Sequence, residues 1–233
     1  MEQKPYFDPQ AAHNKNDIAR GIENRHTEYY EKVLNINKDD VFLDMGCGYG
    51  IQAKKAALTC KKAVGVDFDA DRVGKAIADC KMPNVSFRKI DIINPFDLGM
   101  RFTVIGLKDV LEHVPADKTV NVLKNAWYHL VPAGRVVIHK PSIHPPILSA
   151  TSETAFVVTE ELHLNDKRFA KVPPEHITFH SAISFILCMH KAGLAIQSFW
   201  MGTKAREGHD PGVDVVWNRN FVEWEIYAIG RKY

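Results

Sequence analysis

Between residues 41 and 140 short apolar runs alternate with amphipathic stretches in a regular order. Val41–Asp44 is an apolar run that stops at a glycine cluster, the pattern of a buried strand entering a tight turn. Ile51–Thr59 and Ala70–Cys80 carry helical spacing, and Ala63–Asp67, Val85–Ile90 and Phe102–Leu107 read as further strands. Lys118–Leu130 keeps a helical period through Val122, Leu123, Ala126 and Trp127. Arg135–His139 is a fifth strand, entered through Pro132, Ala133 and Gly134. Residues 16–35 precede the block as an amphipathic helix, with Asn16 as its cap. Such alternation predicts parallel strands joined by right-handed crossover helices. In a doubly wound sheet of that kind, ligands bind beyond the carboxyl ends of the strands.

After residue 140 the alternation breaks. Pro141, Pro145, Pro146, Pro173 and Pro174 frame a polar segment read as a lid over the strand ends. Ser181–Lys191 is a helix stopped by Gly193, and Ala195–Met201 and Phe221–Ile229 are closing strands. The expected fold is therefore α/β: a doubly wound, Rossmann-like sheet, mostly parallel with an antiparallel closing strand, plus an N-terminal helix and a lid insertion. The expected division of the single domain is a cap over 1–38, a core over 39–140, the insertion over 141–178 and a closing part over 179–233.

Composition narrows the function by exclusion. Apolar residues at 45% and charged residues at 25% are those of a globular protein. A net charge of +2 gives no reason to expect a nucleic-acid partner. The start of the chain carries an acid and a proline without an apolar core, and no run approaches the roughly 18 apolar residues of a spanning helix. Cys47, Cys60, Cys80 and Cys188 are scattered, without the paired spacing of a zinc knuckle or a disulfide framework. A cytoplasmic protein without membrane insertion is expected, and its oligomeric state is left open.

The chemistry concentrates after the first strand, in Asp44-Met45-Gly46-Cys47-Gly48-Tyr49-Gly50. Glycines there let the backbone turn sharply and approach a ligand. Seventeen residues past Gly50 comes Asp67, at the tip of the second strand, where an acid can take both hydroxyls of a ribose. A nicotinamide or flavin fingerprint spaces its glycines G-x-G-x-x-G, whereas here the third glycine comes one residue early. Asp44 would also repel a nearby pyrophosphate but suits the ammonium of an amino-acid tail. The loop with Asp44, Asp67 and Asp91 therefore favours a nucleoside carrying a zwitterionic tail.

These residues resemble the class I S-adenosylmethionine (SAM)-dependent methyltransferases. VFLDMGCGYG is similar to motif I of that family, AVGVDFD to its ribose motif and VSFRKIDI to its adenine motif. FTVIGLKDVLEHV and LVPAGRVVI are similar to its fourth-strand and fifth-strand motifs, so the match covers roughly 41–140 in order. The resemblance implies SAM as cofactor, with Asp44, Gly46, Cys47 and Gly48 beside the methionyl end. It implies Asp67 on the ribose, Phe68 and Ile92 on the two faces of adenine, Asp91 on the adenine amine, and the backbone around Leu107 and Lys108 along the methionine. Small-molecule relatives of the ubiquinone-pathway O-methyltransferase type add an N-terminal arginine against the cofactor carboxylate, here Arg20. Thr103, Lys108 and Ala133 depart from the family pattern.

A small-molecule acceptor methylated at oxygen is the leading expectation, because the insertion encloses a pocket and the charge is near neutral. N- or C-methylation, a protein substrate and a non-catalytic SAM-binding protein are the alternatives. A hydroxyl acceptor needs a base. His139, His144, His163, His176 and His180 cluster toward the insertion, with His144 and His176 the leading candidates. His176 and His180 have the spacing for one ion on a helix, but no third ligand is apparent and no metal is expected.

Overall fold

The computed structural model describes residues 30–142, 156–158, 177–180, 182–203 and 224–233. Seven strands form one sheet: β1 (Val41–Met45), β2 (Lys62–Asp67), β3 (Val85–Lys89), β4 (Phe102–Lys108), β5 (Leu130–Ser142), β8 (Ala195–Thr203) and β9 (Trp224–Arg231). Their order is β3-β2-β1-β4-β5-β9-β8. The pairs from β3 across to β5 are parallel, and β9 is antiparallel to both β5 and β8. The expected mostly parallel sheet with its antiparallel closing strand is thus present. Strand order reverses between β1 and β4, which both pair with neighbours there, so the crevice opens at their carboxyl ends.

The central strands are buried on both faces, which explains their nearly continuous apolar sequences. Successive residues feed two separate cores. Leu43, Ile105 and Val136 join Val122, Leu123 and Phe185 on one face. Phe42, Val104 and Val137 join Tyr30, Ala53 and Phe87 on the other. The helical segment α1 (30–34), α2 (Ile51–Ala57) and α3 (Ala70–Ala78) supply the second face. The first is supplied by α4 (Thr119–His129) and α5 (Ala182–Lys191). As expected, α5 ends at Gly193, whose φ of 84° lets the chain reverse.

Two elements differ from the sequence reading. β5 begins at Leu130 rather than Arg135, because Pro132-Ala133-Gly134 is a bulge within the strand. Pairing with β4 slips there from Phe102↔Leu130 to Val104↔Arg135, and the Ala133 N–H donates to the Lys232 carbonyl at 2.8 Å. The insertion contains a two-stranded ribbon of β6 (Phe156–Val158) and β7 (Thr178–His180). β7 spans the boundary expected between insertion and closing part. Thr103, an exception to the family pattern, ties the start of β1 to β4: its hydroxyl donates to Asp40 at 2.6 Å and accepts from the Val41 N–H at 3.0 Å.

Candidate active site

The glycine loop closes over the end of β1. The N–H groups of Gly46 and Cys47 both donate to the Val66 carbonyl, at 2.8 and 3.0 Å, which fixes the turn against β2. Gly46, Gly48 and Gly50 have φ of 80°, 51° and 75°. They are glycines for different reasons. A Cβ on Gly46 would lie 2.5 Å from Val110, and one on Gly50 2.3 Å from Phe87, so both are demanded by packing. A Cβ on Gly48 would meet nothing within 4 Å, so this backbone faces the open crevice. Cys47 is buried, and burial with Asp44 and Asp67 nearby pushes its thiol far up, so it packs rather than reacts.

Asp67 is 5% exposed and does two jobs in the loop. Its Oδ2 accepts from the Gly48 N–H at 2.8 Å and its Oδ1 from the Asp69 N–H at 3.0 Å. Asp69 in turn caps α3 by accepting from the Asp71 and Arg72 N–H groups. Phe68, next in the chain after Asp67, stands 46% exposed. Asp44 is buried, and its Oδ2 accepts from the Ala53 N–H at 3.1 Å, capping the start of α2 from below. Burial pushes its carboxyl up to about 7 against the help of that bond, and Asp67 adds repulsion.

The adenine-side residues follow β3. Asp91 is exposed and accepts from the Ile93 N–H at 2.9 Å and the Asn94 side chain at 2.7 Å. The Ile92 side chain is 8% exposed and joins the main core, so little of it remains to cover a ring. Asn125 on α4 holds this turn, donating to the Ile92 and Asn94 carbonyls at 2.8 and 2.9 Å. Sequence reading missed Asn125, whose role depends on a contact across 33 residues. Leu107 is fully buried, so it can offer the crevice backbone only.

At the ends of β4 and β5 lies a polar group that the sequence reading touched only in part. The Lys108 ammonium donates to Asp109 at 2.8 Å. The other Asp109 oxygen lies 2.7 Å from His139 Nδ1, and the Asp109 N–H donates to the His139 carbonyl at 3.0 Å. Asp109 holds a left-handed φ of 54°, uncommon for a side chain other than glycine. Desolvation pushes its carboxyl up, but the positive charges of His139 and Lys108 outweigh it and hold the group well below the usual carboxylate range. The Asp109 side chain keeps 41% of its surface, whereas His139 lies behind it at 5%. Below them Lys140 is fully buried and donates to the Thr178 carbonyl at 3.2 Å. Its ammonium also lies 3.0 Å from His180 Nδ1, and the Ile177 N–H reaches the Glu112 carbonyl at 2.8 Å. These contacts seat the returning end of the insertion on the core. Arg20, His144 and His176 lie outside the described residues. Among the described residues no group of three metal-ligating side chains converges.

A family model described as a methyltransferase domain matches residues 16–198. The chain belongs to that methyltransferase family. SAM is its methyl donor. The chain resembles the N-methyltransferase NodS from Bradyrhizobium japonicum WM9, at 18% identity and a TM-score of 0.59, covering 91% of this chain and 97% of that one. NodS has also been solved with S-adenosyl-L-homocysteine bound. A Listeria monocytogenes protein described as a putative S-adenosylmethionine-dependent methyltransferase is 17% identical with a TM-score of 0.63, covering 91% and 98% of the two chains. The [4+2]-cyclase SpnF is 14% identical with a TM-score of 0.64, covering 90% and 81%. At these identities the likenesses establish the fold, and SpnF illustrates that the fold also carries other chemistry. No curated protein sequence matches the chain. The described residues suit SAM: Gly48 opens its backbone to unfilled space, and the Asp67 carboxylate accepts from its N–H at 2.8 Å.

Proposed function

We propose that this methyltransferase acts on a small-molecule acceptor and methylates it at oxygen, with Asp109 orienting the acceptor hydroxyl and a histidine of the insertion, His144 or His176, taking its proton. The observation that carries the reading is the 2.7 Å contact between Asp109 and His139 Nδ1 at the carboxyl ends of adjacent strands. Bound SAM supplies an electrophilic methyl on a sulfonium, and the remaining tasks fall to the chain. Asp67 takes the ribose hydroxyls while its internal bonds keep it aimed. Asp44 faces the ammonium of the methionyl tail, and Arg20 its carboxylate. Phe68 packs on adenine, and Asp91 meets the exocyclic amine, with Ile92 contributing an edge and its backbone. Gly46, Gly48, Leu107 and Lys108 line the methionyl end through the main chain. Cys47 supports that loop from below.

A hydroxyl nucleophile must lose a proton as it attacks, and an amine with a free lone pair need not. Asp109 is the exposed member of the pair and meets the acceptor hydroxyl. His139 lies behind it, with its Nδ1 2.7 Å from the carboxylate. His144 and His176 belong to the insertion, and the insertion closes over the acceptor and excludes water. The test is a methyl-transfer screen of phenolic, aliphatic hydroxyl and amine acceptors with isotopically labelled SAM. His144→Gln and His176→Gln are the test variants, and replacing the histidine that serves as base is expected to lower turnover on the best hydroxyl acceptor by about 10²–10⁴-fold with SAM affinity retained. Transfer to amines alone, with both histidine variants as active as the parent, would overturn the reading.

A further inference from the structure

The opposite end of the sheet carries a second depression. An open groove of about 760 Å³ lies between the segment entering β4, the second half of α4 and the end of α5. Residues 95–97 lead into β4 and residues 191–193 into β8, two strands that run in the same direction. The groove therefore lies at the amino ends of those strands, on the far side from Gly48 and Asp67 at the carboxyl ends.

Its floor is aromatic, from Phe96, Trp127 and Tyr128. Cations already cover two of the rings: Lys232 sits 4.1 Å over Trp127 and Arg101 4.2 Å over Tyr128. Phe96 stacks on His129 at 4.4 Å. Asp97, the acid in the lining, is occupied by Arg101 at 3.0 Å, by the Tyr128 hydroxyl at 3.0 Å and by the Gly99 N–H at 2.9 Å. Lys124 and Lys191 stand exposed on the rim, and neither has an ion-pair partner among the described residues. The groove thus combines an apolar floor with two exposed lysines on its rim.

We propose that this groove docks an acidic polypeptide segment of a partner protein. An apolar side chain of that segment rests on the aromatic floor, and its carboxylates face Lys124 and Lys191. Charge complementarity selects the sign of the partner. A nucleic acid fits less well, because two rim cations are too few to track a phosphate backbone. Docking here is separate from the cofactor crevice, so SAM and the partner bind together.

The test is fluorescence anisotropy of the full chain with a fluorescein-labelled oligoglutamate peptide carrying a central Trp-Leu pair. Saturable binding that weakens with added salt is expected. The Lys124→Glu/Lys191→Glu variant is expected to bind about 10-fold or more weakly while keeping its thermal midpoint and SAM affinity. Lys124→Gln/Lys191→Gln replaces it if charge reversal disturbs folding. Absence of saturable binding, equal binding of an oligolysine peptide, or indifference to the lysine substitutions would overturn the proposal. Tighter binding of polyuridylate with the same lysine dependence would also overturn it and make the face a nucleic-acid surface.

Discussion

Asp44 allows a quantitative test of where the methionyl tail lies. Its carboxyl is 4% exposed, held by one N–H at 3.1 Å and pushed by burial up to about 7. Near neutral pH the ligand-free group is therefore a mixture of acid and carboxylate. An ammonium placed beside it favours the carboxylate, so binding must expel the proton. If the bound group returns to about 4, about 0.9 proton is released per SAM at pH 6 and about 0.1 at pH 8. The same linkage makes SAM affinity fall about 10-fold between pH 8 and pH 6. Calorimetric titrations in two buffers of different ionisation heat measure the released proton directly. Asp44→Asn should abolish both the buffer dependence and the acid-side loss of affinity. Identical heats in both buffers at pH 6, or the same proton release from Asp44→Asn, would show that no cation approaches this carboxyl.

Three further outcomes follow from packing and burial. Gly50→Ala is expected to cost about 2–5 kcal/mol in urea unfolding, because left-handed strain adds to overpacking against Phe87. Gly48→Ala is expected to cost only about 1–2 kcal/mol, the strain alone, yet to lose SAM binding, and equal stability losses would refute the assignment of Gly48 to the open crevice. Lys140 is lowered by burial from 10.5 to about 8, so between those values the folded state binds fewer protons than the unfolded one. Stability should therefore rise by roughly 2 kcal/mol between pH 8 and pH 10, and Lys140→Met should remove the rise. Chemical denaturation at pH 8 and pH 10 checks this, and an unchanged slope in the variant would sink it.

Much of the sheet was legible because its code is local. A central parallel strand must be apolar on both faces, so Val41–Met45 and Phe102–Lys108 declare themselves within a few residues. The bulge at Ala133 was not legible, because it depends on pairing with Lys232 at the far end of the chain. Glycine spacing pointed to the ligand loop but could not separate Gly48, which faces open space, from Gly46 and Gly50, which yield to Val110 and Phe87.

The sequence by itself determined the alternation of elements, the strand-to-loop punctuation and the acids at strand tips, since each is set by neighbours along the chain. Only the tertiary structure decided which polar groups share a site. Asp109 and His139 are 30 residues apart in the chain and meet because β4 and β5 are adjacent and parallel with ends in register. It also decided that Lys140 is buried against Thr178 and His180, and that Phe96 and Trp127 share a groove at the other end of the sheet. Burial, and the pKa shifts and charge pairings it causes, are properties of that three-dimensional neighbourhood, and residue order alone does not carry them.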